Sequence, residues 1–320
     1  MNTKPILIIT GEPFSIFSEI LSKILKKNKF KKPLLLITSS KLLKRQFKYF
    51  NHKLLSNEIS ENFSLNELKK DKINIINVDL NFTNTFQKIT NISNSFNKKC
   101  FKLALKLAKT KKISGIINGP ISKKHFLKRK YLGITEYMAK NTLTTNFAML
   151  IYNKNLSVSP ITTHVPLKNV SKIINKKKIM NNVHLIKIFY RKYLKKDPSI
   201  AITGLNPHCE SNYLNSEEDK IIKPAIKQLK KKYNKVSGPY PADSIFMKNN
   251  IKKFDVIVGM YHDQVLTPLK SLYNFDAINI TLGLPFIRIS PDHGPNNKMI
   301  KKNLSNPKSL LLAIKFLDNL

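Results

Sequence analysis

The chain has 320 residues of which 42% are hydrophobic, enough for one large domain or two α/β lobes with a real core, and this excludes global disorder. Its 57 Lys+Arg against 19 Asp+Glu give a formal charge of +38, but the lysines are spread along the whole chain with no basic stripe interleaved with aromatics. The charge therefore reads as composition bias, not as a nucleic-acid interface, although it should attract anionic substrates.

The apolar run at the N-terminus stops at Gly11 and Pro13, shorter than a secretory segment. No apolar stretch approaches the roughly 20 residues of a membrane helix, so a soluble cytoplasmic protein is expected. The two cysteines, Cys100 and Cys209, lack CxxC spacing, which argues against a disulfide framework, a zinc knuckle or a dithiol centre. Cys209 beside His208 reads as a small packing residue.

In chain order, β-branched runs predict strands at Ile6–Thr10 and Pro33–Thr38, with a helix at Phe17–Lys27 between them. The polar stretch Asn51–Asp71 predicts surface loop and short helix. Strands follow at Ile73–Val78 and Ile113–Asn118 around a helix at Asn97–Thr110, then strands at Ala148–Tyr152 and Val158–Thr162. The remainder predicts a helix over Leu167–Tyr193, a strand at Ser199–Thr203, a helix over Ser216–Asn234 and a strand at Asp255–Met260. This alternation is that of a mostly parallel α/β protein, and without repeats or a Gly/Ser-rich linker any two lobes are tightly joined.

Three of the seven histidines directly follow strand candidates: His164 in SPITTHVP, His208 in AITGLNPHCE and His262 in VIVGMYHDQ. Ligands of open α/β sheets bind beyond the carboxyl ends of strands, so these imidazoles can converge on one pocket; three separate turn histidines are the plain alternative. Neutral imidazoles suit a divalent transition metal, and three protein ligands leave positions open for a substrate hydroxyl whose hydride passes to a nicotinamide. Asp263 can orient a ligand or act as a base, or simply cap the following helix.

A second cluster lies in INITLGLPFIRISPDHG, where Asn279 and Arg288 flank a Gly–Leu–Pro turn and Lys270 lies nine residues before Asn279. An Arg fork, a Lys charge and an Asn amide are what a phosphate or carboxylate needs. No GxGxxG follows the first strand, and GEPFSIF lacks the later glycines, so a Rossmann domain is disfavoured. A nicotinamide cofactor would use another turn, and PDHG, with Asp292, His293 and Gly294, is the candidate.

The stretches GEPFSIFSEI, NGPISK, GITEYMA, TTHVPL, GLNPHCE, GPYPADSIF, MYHDQVLTPLK and NITLGLPFIRISPDHG, taken together, give a chain that resembles the bacterial 4-hydroxythreonine-4-phosphate dehydrogenases of the pyridoxal phosphate pathway. The resemblance implies two α/β/α lobes around a cleft, like isocitrate and isopropylmalate dehydrogenases, here approximately 1–130 with 295–320 and 131–294. It implies a divalent ion (Zn, Mg or Co) on His164, His208 and His262, and substrate contacts from Thr135, Lys270, Asn279 and Arg288. It further implies NAD(P)+ as oxidant and a homodimer with the active site near the subunit interface and metal ligands from both chains.

The implied reaction oxidises the C3 hydroxyl of 4-phosphooxy-L-threonine to a β-keto acid, which loses carbon dioxide to give 3-amino-2-oxopropyl phosphate. Two departures stand out: Ile134 occupies the place where the family usually has His before the Thr, and CESNYLNSEE replaces a Gly-rich turn after His208. Two alternatives remain: a sibling acting on another phosphorylated hydroxy acid, such as a four-carbon sugar acid phosphate, and a catalytically silent homologue.

Overall fold

The computed structural model describes residues 3–122, 126, 131, 133–210, 215–274, 276–291 and 294–320. In chain order its strands are β1 (Ile6–Ile9), β2 (Leu34–Thr38), β3 (Ser56–Glu58), β4 (Ile73–Asn77), β5 (Gly115–Asn118), β6 (Ala148–Tyr152), β7 (Ser157–Pro160), β8 (Ile200–Thr203), β9 (Val236–Tyr240), β10 (Val256–Gly259), β11 (Ile278–Leu282) and β12 (Arg288–Pro291). The chain divides into two compact units, Met1–Leu143 with Pro285–Leu320, and Thr144–Leu284.

In the first unit the strand order is β3-β4-β2-β1-β5-β12, with parallel pairing throughout this set. Parallel neighbours need crossovers that cover the sheet faces, which is why β1 (ILII) and β2 (LLLIT) read as unbroken apolar runs and are wholly buried. The helix Phe17–Lys27 forms as its sequence predicts: Phe17, Ile20, Leu21 and Ile24 share one buried face, and Lys26 and Lys27 sit at the dipole's negative end. Each of those apolar side chains contributes roughly 1.5–3 kcal/mol by leaving water, so Ile20→Asp would detach the helix. Because β1, β5 and β12 are parallel, Ile9, Asn118 and Pro291 stand at the same edge.

In the second unit the order is β11-β6-β7-β10-β8-β9. Here β7, β10, β8 and β9 are parallel, while β6 runs antiparallel to both β7 and β11. The segments after β7, β10 and β8, which carry His164, His262 and His208, therefore also leave a common edge.

The expected mostly parallel α/β fold is present, and several elements differ in extent. The continuous helix expected over Leu167–Tyr193 is interrupted: Ile174 is extended, and the Asn175 side chain accepts from the Lys178 N–H to start a new helix, Lys176–Phe189. The helix expected from Asn97 begins earlier, at Asn91, where the N-cap Thr90 N–H donates to Ser93 Oγ at 2.9 Å. The stretch Asn51–Asp71 holds the short strand β3 as well as the expected short helical turn, Leu65–Glu67. The helix expected after Asp263, to which the sequence reading gives no bounds, is His262–Tyr273, with Pro268 inside it.

The lysines of Lys223–Lys232 take the solvated face expected of them, with Ala225, Ile226 and Leu229 buried, whereas Lys187 departs from that expectation: it is buried and donates to Asp197 Oδ1 at 3.1 Å and Pro198 O at 2.9 Å. Among the described residues no helix is long and apolar enough to cross a membrane. Cys100 and Cys209 are free and buried, and burial raises both thiol pKa values.

Candidate active site

In the first unit, the parallel register sets Arg288 of β12 opposite Ile116 of β5. Its side chain is 0% exposed, a position that is tolerable for a cation only with partners. The guanidinium Nε donates to Asn118 Oδ1 at 2.7 Å and Nη1 donates to Thr135 Oγ1 at 3.3 Å. Burial pushes its pKa down from 12.5 to about 9, the Glu136 carboxylate opposing, so it stays cationic at neutral pH. Thr135 is buried near the start of the helix Ile134–Asn141, which follows the extended Gly133, and Ile134 beside it is half-buried.

Asn118 is not among the residues expected from sequence. Its signal is an amide ending the buried run GIIN of β5, since a buried polar group there must find a partner. The loops around it are locked by close backbone approach: Glu12 N donates to Pro120 O at 2.7 Å. A Cβ on Gly11, at φ +75°, would stand 2.2 Å from that same oxygen. Glu12 itself, 1% exposed, accepts from Asn97 Nδ2 at 3.3 Å. Burial raises its carboxyl from 4.5 to about 7.

In the second unit, the ladder between β7 and β10 continues past the strands. Ile161 N donates to Gly259 O at 2.8 Å, and Thr162 Oγ1 donates to Met260 O at 2.8 Å. Each strand end thus carries its histidine two residues further on in step with the other, and the rings of His164 and His262 stand 5.7 Å apart, centroid to centroid. His262 Nδ1 pairs with Asp263 Oδ1 at 2.6 Å. With the proton on Nδ1, Nε2 is left as a lone-pair donor. Asp263 therefore contacts the imidazole; the helix N-cap position belongs to Tyr261.

His208 is exposed and lies in the left-handed region at φ +57°, as does Cys209 at φ +58°. Consecutive left-handed residues other than glycine cost of order 1–3 kcal/mol each and persist only where the surroundings hold them. Lys270 is exposed in the last turn of His262–Tyr273. Asn279 is half-buried on β11, and its Oδ1 has no hydrogen-bond partner among the described residues. Asp292 and His293 lie outside the described residues; Gly294 is exposed.

Adjoining imidazoles, one backed by a carboxylate, are a donor set that suits a divalent ion. Among the described residues of one chain no group of three His, Cys, Asp or Glu stands close enough to hold a metal. Two of the expected three histidines, His164 and His262, thus meet within a single copy.

The family model described as "Pyridoxal phosphate biosynthetic protein PdxA" matches residues 29–317. A 4-hydroxythreonine-4-phosphate dehydrogenase of Sulfurihydrogenibium sp. (strain YO3AOP1) is 38% identical over 317 residues, covering 96% of this chain and 95% of its own length. A D-threonate 4-phosphate dehydrogenase of Pectobacterium atrosepticum is 34% identical over 219 residues, 68% of this chain and 67% of its own. The crystal structure of a 4-hydroxythreonine-4-phosphate dehydrogenase from Klebsiella pneumoniae superposes with a TM-score of 0.83 at 29% identity, covering 99% of each chain. With a family model spanning most of its length and a relative of that family aligned almost end to end, the chain belongs to the PdxA family of pyridoxal phosphate biosynthetic proteins.

Proposed function

We propose that this protein oxidises 4-phosphooxy-L-threonine with NAD(P)+ to 2-amino-3-oxo-4-phosphooxybutanoate, which decarboxylates to 3-amino-2-oxopropyl phosphate, in pyridoxal phosphate biosynthesis. Membership of the PdxA family and the activity named for its relatives support the reaction. The observation that carries it in this chain is the imidazole pair of His164 and His262 on adjacent parallel strand ends. His208, contributed by a second copy of the chain in a homodimer, completes the ligand set in this reading.

When bound, a divalent ion (Zn, Mg or Co) supplies Lewis acidity at the reacting hydroxyl. Asp263 holds the Nδ1 proton of His262 and so keeps Nε2 free to donate. Arg288, fixed by Asn118 and Thr135, is a cation already in place for an anionic substrate group, with Lys270 and Asn279 as further contacts. Hydride leaves C3 for the nicotinamide and the hydroxyl proton leaves to solvent, giving a ketone β to the C1 carboxylate. The C1–C2 bonding pair then flows toward that carbonyl as carbon dioxide departs, and C2 takes up a proton. Asp292, His293 and Gly294 are assigned to the cofactor in this reading.

The test is nicotinamide reduction by the purified protein on 4-phosphooxy-L-threonine, with and without a chelator. Turnover should vanish on chelation and return with a divalent ion, while His164→Ala should abolish that recovery. Turnover indifferent to chelation would overturn the metal reading. A second reading is favoured by Ile134: an apolar side chain next to Thr135 suits a substrate with a different C2 group, and relatives named D-threonate 4-phosphate dehydrogenase are among those matched. Activity on D-threonate 4-phosphate alone would replace the first substrate with the second.

A further inference from the structure

We infer that Gln264 is a positioning residue that sets the spacing between the strand ends bearing His208 and His262, an inference that rests on the reading of those imidazoles as metal donors. The β10–β8 ladder ends at the pair Val258 and Ile202. Just past it, the buried side chain of Gln264 joins the two strand ends. Its Oε1 accepts from Met260 N at 2.7 Å, two residues before His262, and from Thr203 Oγ1 at 2.9 Å. Its Nε2 donates to Gly204 O at 2.8 Å, four residues before His208. One amide therefore bonds both strand ends at once.

Neighbouring features fit this role. Gly259 leaves the space that Val265 and the clamp share, because a Cβ there would stand 2.4 Å from Val265 Cγ1 and 3.0 Å from Gln264 Oε1. The same Met260 whose N–H is clamped offers its carbonyl to Thr162 Oγ1 at 2.8 Å, so the tie extends to the β7 end that carries His164. On the far side, Glu218, 0% exposed, accepts from Leu205 N at 2.7 Å and Asn206 N at 2.8 Å and holds the turn leading into His208. All three histidine-bearing ends are thereby referenced to one residue. An amide is required: a carboxylate keeps the two acceptor contacts but turns an oxygen toward the Gly204 carbonyl, and an alkyl chain keeps none of the three.

The probe is Co(II), and separately Zn(II), titrated in competition with a chelator into the full-length protein and its variants. Gln264→Leu and the isosteric Gln264→Glu should bind roughly 10–100-fold more weakly than wild type and change the intensity of the Co(II) absorption bands, which reads ligand geometry. Tyr190→Phe removes another buried hydrogen bond of the same unit, to Ser157 Oγ at 2.9 Å, and serves as a control for stability alone. It should lower the melting temperature while leaving the metal Kd and spectrum at wild-type values.

Should Gln264→Leu not fold, Gln264→Glu carries the test by itself. Wild-type affinity and an unaltered spectrum in a folded Gln264 variant would overturn the clamp while metal binding by wild type, lost in His164→Ala, upholds the donor reading. Wild-type protein that takes up neither ion would overturn the donor reading first and the clamp with it.

Discussion

Arg288 reaches its partners inside the protein, 0% exposed with Nε on Asn118 and Nη1 on Thr135, whereas His164 is exposed and His262 keeps a third of its surface in water. The desolvation of the cation is met at folding, so its geometry is set before any ligand arrives. The imidazoles cost folding little, and their order comes from the backbone ladder and the clamp beneath them. One group of chemistry is thus prebuilt by burial, and the other is presented at a strand edge where a ligand can still be added.

Arg288→Lys should have the largest effect if the prebuilt half of that contrast is right. A lysine keeps the charge but not the planar fork that meets Asn118 and Thr135 together. Breaking a charged, buried hydrogen-bonded arrangement is worth about 3–4 kcal/mol, which in steady-state kinetics is a loss of roughly 10²–10³-fold in kcat/KM. An Arg288→Lys variant that keeps wild-type kcat/KM would mean that charge alone is used and that the fixed fork is incidental.

Glu12 sharpens the comparison from the opposite sign, as a buried carboxyl in the unit of Arg288 with Oε1 lacking a partner among the described residues. Its pKa is raised from 4.5 to about 7 by burial, so the folded protein holds this proton at pH values where the unfolded chain has released it. The stability this confers is complete below about pH 4.5 and is lost as pH rises to about 7. Glu12→Gln should then be more stable than wild type by on the order of 2–3 kcal/mol at about pH 8 and nearly equal to it at about pH 5, read by urea unfolding. Parallel pH profiles for the two proteins would show that the carboxyl is solvated.

The same two regions show what the amino-acid sequence reveals and what it withholds. Ala148–Tyr152 and Phe17–Lys27 have the predicted bounds because a five-residue apolar run and a three-and-four spacing each mark one element locally. The histidines can be named because polar residues after apolar runs stand out, and Arg288 because it sits inside an apolar segment, whereas Thr135 comes only from the family resemblance. Which of them touch cannot be read. That Asn118 meets Arg288 depends on the β5–β12 register, which pairs Arg288 with Ile116 from a distant part of the chain, and that Gln264 spans two strand ends depends on β10 lying beside β8. Strands β11 and β12 escape the sequence reading because INITLGLPFIRISP reads first as a turn between polar residues, and only their neighbours in the sheets make them strands.

Asp263→Asn tests the open half with a smaller step. The amide can still meet His262 Nδ1 but no longer pushes electron density onto the ring, so metal affinity should fall about 10-fold with little change in melting temperature. The Co(II) titration that serves for Gln264 measures it. An unchanged Kd would mean that the 2.6 Å pair is an incidental contact between sequence neighbours.

Thr135→Val should be mildest, because the Nη1–Oγ1 contact is long at 3.3 Å and valine keeps the shape of threonine. Nε of Arg288 retains Asn118, so the guanidinium stays in place and only one of its donors loses an acceptor. A net hydrogen bond of about 1 kcal/mol predicts roughly a five- to tenfold rise in KM with kcat close to wild type, and Thr135→Ser should recover most of it. If kcat falls instead while KM holds, Thr135 acts on the reacting centre, and the buried arginine site is then part of the chemistry as well as of binding.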